Sequence, residues 1–177
     1  MVRYDERCCG LSDWDAERLD LEAWVNDLEA VVDAVGRERF ALVGLSQGAP
    51  IGVAYAVRHP DRVSHFVFCG GYARGRQKRP VSADQRREDE LLLSLMKVGW
   101  GRDDPTFRQV FTSLFIPGAT REEMDWFDEL QRVSTSPENA ERLEQAWYQI
   151  DVTDLLERVT TPTFGRAPPR RPRHPLQ

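Results

Sequence analysis

Phe40-Ala41-Leu42-Val43-Gly44-Leu45-Ser46-Gln47-Gly48 is the stretch that decides the fold. Its first four residues are an apolar run of strand character, and a helix-like stretch from Ala49 to Arg58 follows it. Strand, sharp turn and helix are the context that a Gly-x-Ser-x-Gly nucleophile elbow requires. A serine on so tight a turn is forced into a strained backbone conformation. Side chains at Gly44 and Gly48 are expected to clash with the neighbouring helix and strand. The turn lifts the Ser46 hydroxyl above the sheet edge. It also turns the backbone N–H of Gln47 towards a developing oxyanion. Leu45 completes the pentapeptide. The plainer alternative is a glycine-rich strand-to-helix turn with no chemistry.

The periodicity on either side extends the pattern. Leu21, Trp24, Val25, Leu28, Val31, Val32 and Val35 recur at helical spacing, with Asp20 as N-cap and Gly36 as the stop. Met1 to Asp5 reads as the end of a short strand, and Asp5 to Asp13 as a loop. Val63 to Cys69 reads as a buried strand closed by Gly70-Gly71. Strand and helix therefore alternate over the first seventy or so residues, which predicts an α/β fold with a parallel sheet. From Tyr72 to Ile150 strand signals stop and helix starts recur. Ser82 with Gln85 and Thr120 with Glu123 have capping-box spacing, and Ser136-Pro137 sets a cap before a first-turn proline. About four helices are expected there, as a cap over the sheet edge. Glu88-Asp89-Glu90 and Glu122-Glu123 read as solvated helix faces. Trp100, Trp126, Phe127 and Trp147 could line a pocket, but their helical spacing also suits an ordinary core.

After a short helix from Thr153 to Val159, Thr160 to Phe164 reads as the approach to a strand. Gly165 to Gln177 then brings prolines and arginines, which rule out a central strand and predict a disordered tail. The expected domains are thus a core over 1–71, a helical cap over 72–150, a return to the core over 151–164 and a tail over 165–177.

Bulk properties narrow the function. The 177 residues are 41% hydrophobic and 30% charged, a soluble globular composition. The net charge of −5 argues against nucleic acid as a partner. No apolar run reaches membrane-span length and no signal-peptide pattern opens the chain, so no membrane association and a cytoplasmic location are expected. Cys8, Cys9 and Cys69 do not form a disulfide framework and read as reduced, mostly buried thiols. No dinucleotide, P-loop or metal-ligand pattern occurs, so no cofactor and no metal are expected.

Taken together, these residues resemble the α/β-hydrolase superfamily, over roughly residues 2 to 164. Arg3 to Ser12 is similar to the loop after the family's fourth strand. Cys8 stands where the family usually has glycine, so backbone strain is expected at that position. Phe40 to Gly48 is similar to the fifth strand and elbow, His59-Pro60-Asp61-Arg62-Val63 to the entry into the sixth strand, and Val159 to Thr163 to the lead-in to the seventh. The helical block sits where the family inserts its cap. The resemblance implies a partial hydrolase fold, truncated at both ends, that would keep pieces of strands four, five and six with open edges or a non-native pairing. It implies an esterase-like enzyme that cleaves a small ester, lactone or amide, with Ser46 as nucleophile. It also implies an acid after the seventh strand and a histidine after the eighth, and neither has a counterpart. His59 lies in a helix-ending turn, His65 inside a strand and His174 in the tail.

Three functional readings stay open on the sequence. One is a hydrolase-derived chain with little or no activity alone. The second is a working hydrolase whose base is unconventional or supplied by another chain. The third is a non-catalytic binding module for a small molecule or a protein.

Overall fold

The computed structural model describes residues 1–166. Two compact units divide the chain: Leu28–Arg74 with the chain from Asp151 onward, and Met1–Asp27 with Gly75–Ile150.

The first unit is built on a parallel sheet of three strands, β1 (Phe40–Leu45), β2 (Val63–Cys69) and β3 (Thr163–Arg166), in that order. β1 and β2 run in register from Ala41↔His65 to Leu45↔Cys69. β2 and β3 run in register from Phe66↔Thr163 to Cys69↔Arg166. Helix α1 (Leu21–Val35) precedes β1, and α2 (Gly48–Arg58) links β1 to β2. Asp20 caps α1 by accepting the Ala23 N–H at 2.8 Å, and Gly36 leaves it with φ +68°. Phe66 is fully buried, and its ring lies where a Cβ on Gly52 would sit, with Cε2 only 2.5 Å from that point. A helix carrying any larger residue at this position could not lie so close to β2.

The third strand corrects the expectation that the strand pattern ends at Phe164. Gly165 and Arg166, assigned in sequence to the tail, belong to β3. The first proline after Pro162 is Pro168, so residues 163–166 keep their N–H groups for the ladder. Gly165 is needed there, because a Cβ would meet Cζ of Phe68 at 2.3 Å. The rest of the expected disordered tail, with His174, lies outside the described residues. The expected strand at Met1–Asp5 does not form either. Asp5 instead ties down the following loop, accepting the Leu11 N–H on Oδ2 and the Ser12 hydroxyl on its carbonyl. The sheet is thus built from Phe40–Leu45, Val63–Cys69 and Thr163–Arg166, the second and third of which follow the segments that resemble the lead-ins to the family's sixth and seventh strands, and no piece resembling the fourth strand joins it.

The second unit carries the helices α3 (Ala83–Gly99), α4 (Thr106–Phe115), α5 (Arg121–Ser134) and α6 (Pro137–Gln149). The caps read from sequence are present. Ser82 accepts from Gln85 N, Thr120 and Glu123 complete a reciprocal capping box, and Ser136 caps α6 ahead of Pro137. Met96, Phe111 and Ala140 form a buried cluster, with Trp100 packed against it. Asp89 departs from the expected solvated face. It is buried and accepts from Arg76 at 2.6 Å, because the Arg76 guanidinium also lies over the Tyr148 ring and closes the site. Glu144, beside Tyr148, is raised above the usual carboxylate range by burial.

Residues 1–27 group with these helices rather than with the strands, and hydrogen bonds explain why. Gly10 N–H donates to the Ser134 carbonyl at 2.7 Å, Asn139 Nδ2 to Trp14 and Arg142 to Ala16. Arg7 pairs bidentately with Asp27, its Nη2 at 2.6 Å from Oδ1. Cys8 has φ +67°, so the strain expected where the family has glycine is present. Its buried thiol points to the Ala16 carbonyl. Cys69, expected with the mostly buried thiols, is exposed, because it lies on the open face of β2. Among the described residues no helix is long and apolar enough to cross a membrane.

Candidate active site

The Gly-x-Ser-x-Gly pentapeptide bridges β1 and α2. Gly44 and Leu45 close the strand, Ser46 and Gln47 make the turn, and Gly48 opens the helix. Ser46 has φ +48°, one of two non-glycine residues among those described with positive φ. A left-handed serine costs on the order of 1 kcal/mol and is kept only where its surroundings fix it. Here they do. Ser46 N–H donates to the Cys69 carbonyl at 3.0 Å, tying the turn to the end of β2. Ala49 N–H donates to the Ser46 carbonyl at 3.1 Å, which closes the turn itself.

The two glycines have different roles. A Cβ on Gly44 would stand 2.5 Å from the Gly48 carbonyl oxygen and 3.0 Å from Ala49 N. Both are backbone atoms that cannot move without opening the turn. A Cβ on Gly48 would meet nothing within 4 Å, and Gly48 has no left-handed φ. The expectation that side chains at both flanks would clash therefore holds at Gly44 only.

Ser46 is exposed, and its hydroxyl has no hydrogen-bond partner among the described residues. Gln47 stands at the N-cap of α2 with φ −63° and ψ −20°. The positive end of the helix dipole therefore lies beside the serine, where negative charge is favoured.

Neither described histidine can reach it. His59 follows the last residue of α2, and Gln47 precedes the first. Eleven helical residues separate them, about 16 Å along the axis. His59 serves the helix end instead. Its ring lies 4.7 Å from that of Tyr55, and Nε2 is 3.2 Å from Glu29 Oε1. His65 pairs with Ala41, four residues before Leu45 and about 13 Å down the strand. No cluster of three or more His, Cys, Asp or Glu side chains able to hold a metal occurs among the described residues.

Gly71 supports the turn in a way the sequence reading did not recognise. A Cβ there would meet the Ala49 Cβ at 2.2 Å and the Ser46 carbonyl oxygen at 3.6 Å. The signal was the Gly70-Gly71 doublet, read only as the end of a strand. Gly70 takes the left-handed turn with φ +61°, and Gly71 leaves room for the elbow.

Strain at Ser46 makes a prediction about stability. Ser46→Gly should be more stable than Ser46→Ala by about 1 kcal/mol, because only glycine adopts φ +48° freely. In an ordinary turn the order reverses. Thermal denaturation of the two variants side by side decides between these cases.

Comparison with known proteins adds the following. A family model described as the alpha/beta hydrolase fold matches residues 4–147. A stretch of 54 residues is 46% identical to the 2-hydroxy-6-oxononadienedioate/2-hydroxy-6-oxononatrienedioate hydrolase of Paraburkholderia phymatum, covering 30% of this chain and 18% of that protein. A stretch of 50 residues is 40% identical to the 2-hydroxy-6-oxo-2,4-heptadienoate hydrolase of Pseudomonas putida, covering 28% of this chain and 18% of that one. Among solved structures, an esterase from Exiguobacterium antarcticum superposes with a TM-score of 0.75 at 24% identity. That match covers 90% of this chain and 59% of the esterase chain, so this chain spans well under two thirds of its relatives.

Proposed function

Because the chain belongs to the alpha/beta-hydrolase family, we propose that Ser46 is the nucleophile position of a hydrolase acting on a small ester, lactone or amide. The observation that carries this reading is the left-handed Ser46, exposed at the mouth of α2 and fixed from below by Gly44. In the proposed reaction the Ser46 oxygen attacks the substrate carbonyl carbon. The carbonyl oxygen takes the negative charge and accepts a hydrogen bond from the Gln47 N–H, where the helix dipole favours it. The serine proton must leave to a base, and neither His59 nor His65 reaches it. A positioned base is worth about 10²–10⁴-fold in rate. Described residues alone therefore support slow acyl transfer at best.

An external base tests the assignment. Hydrolysis of p-nitrophenyl acetate is followed with increasing imidazole for the full chain and for Ser46→Ala. The full chain should respond more steeply than the variant. Equal responses at every imidazole concentration would exclude Ser46 as nucleophile. Fast turnover without imidazole that disappears in Ser46→Ala would keep the nucleophile and show that the chain brings its own base.

A further inference from the structure

Four titratable side chains meet on α6, away from the elbow. Arg76 opens a single 3-10 turn, Arg76–Lys78, that packs on α6. Its guanidinium pairs with Asp89 of α3 at 2.6 Å and lies 5.7 Å from the centre of the Tyr148 ring. The Tyr148 hydroxyl donates to Glu144, one helical turn earlier on α6. Asp89 and Tyr148 are buried and Glu144 is half-buried. The groups that face Glu144 are thus Tyr148 from its own helix, Arg76 from the turn and Asp89 from α3. Lys97 is held by Glu141 at 3.4 Å. One cation therefore serves two carboxyl groups. The same turn is also tied to the end of α6. Gly75 N–H donates to the Ile150 carbonyl at 2.7 Å, and Gln149 Nε2 donates to Gln77 Oε1. The fit is close, since a Cβ on Gly75 would stand 2.3 Å from the Trp147 carbonyl oxygen.

We propose that Arg76, Asp89, Glu144 and Tyr148 form a pH-sensitive latch. It holds Gly75–Lys78 against α6 while Glu144 is protonated and loosens when Glu144 ionises. The proton goes to solvent, and the charge left behind competes with Asp89 for Arg76. Turning Arg76 towards Glu144 weakens its pair with Asp89, and drawing Glu144 out to water takes it from Tyr148. Either motion disturbs the contact between Arg76 and Tyr148 that seats the turn. Burial raises Glu144 above the ordinary carboxylate range, outweighing the Tyr148 hydrogen bond and the Arg76 charge, and Asp89 adds to the rise. A carboxyl raised by folding contributes stability that is complete below the ordinary range and is lost as pH rises through the raised value. The latch is therefore tight in acid and loosens towards neutral and alkaline pH. Tyr148, raised above the ordinary phenol range chiefly by burial, stays a hydrogen-bond donor across that change.

Thermal melts of the full chain and of Glu144→Gln between about pH 5 and about pH 8 test the latch. Glutamine keeps an acceptor for Tyr148 and cannot ionise. The variant should melt a few °C above the unmutated chain at the upper pH, and the gap should close as the pH falls. Tyr148→Phe removes a hydrogen bond that favours the ionised form, so its stability should fall more steeply with rising pH than that of the unmutated chain. The Gly75 amide gives a local reading. Its protection against hydrogen exchange, corrected for the intrinsic rate, should drop across this pH range in the unmutated chain and hold in Glu144→Gln. Amides of α5 should behave alike in both. A gap that does not change with pH, a Tyr148→Phe profile parallel to that of the unmutated chain, or a loss of protection shared equally by α5 would each overturn the proposal. If Glu144→Gln fails to fold, the Gly75 amide of the unmutated chain and the Tyr148→Phe profile still decide.

Discussion

Gly44→Val is expected to lower stability by about 3 kcal/mol, while Gly48→Ala raises it by a few tenths of a kcal/mol or more. For a chain of this length the first effect is a fall in melting temperature of roughly 6–12 °C. The opposite signs follow from the geometry of the turn. At Gly44 the first added carbon already overlaps the Gly48 carbonyl at 2.5 Å, and a β-branched residue adds two more atoms on the same side. The atoms it meets are backbone, so the turn must open to admit them. That opening breaks the Ala49 N–H to Ser46 carbonyl bond and releases the left-handed serine. At Gly48 the space is empty and the residue is the first of α2, so alanine adds helix propensity and restricts the unfolded chain. A plain glycine-rich turn, in which both glycines supply only flexibility, would lose stability at both positions. Thermal melts of the two variants therefore separate a built elbow from a permissive loop.

Local chemistry made the elbow legible. A strand signal, two glycines around a serine and a helix signal all lie within nineteen consecutive residues, 40–58. The caps of α1, α5 and α6 were legible for the same reason, since each rests on residues three or four apart. What stayed hidden depends on contacts between distant segments. β3 forms because four residues free of proline fall beside β2 and because Gly165 fits under Phe68, and neither fact can be read from residues 163–166 in isolation. Asp89 looked like one of three acids on a solvated helix, and only the approach of Arg76 and Tyr148 buries it. The role of Gly71 needs Ala49, twenty-two positions earlier in the chain, at its side. At Met1–Asp5 the strand signal was sound locally, but ladder bonds need a neighbour, and Asp5 satisfies the following loop instead.

The close approach of α2 to the sheet predicts a coupling between Gly52 and Phe66. Phe66→Ala should cost about 3–5 kcal/mol, since it empties a fully buried ring site under the helix. Gly52→Ala should cost about 1–3 kcal/mol for the opposite reason. Its methyl would stand 2.5 Å from Cε2 and 2.6 Å from Cζ of Phe66, with Leu42 Cδ2 3.3 Å away. The ring is enclosed and cannot swing aside, so α2 itself must lift. Combining Gly52→Ala with Phe66→Leu should then recover part of the loss, because the methyl occupies space that the shorter side chain vacates. A double-mutant cycle of Gly52→Ala and Phe66→Leu, read from denaturant unfolding, is expected to give a favourable coupling of at least about 0.5 kcal/mol. Simple additivity would mean that the helix is held by something other than this contact. The outcome bears on the elbow directly. α2 begins one residue after Gln47, so a helix lifted at Gly52 carries the Gln47 N–H and the backbone of Ser46 away from the end of β2. Gly52 makes no contact with a substrate in the proposed reaction, yet through the packing of α2 it fixes where the Ser46 hydroxyl stands.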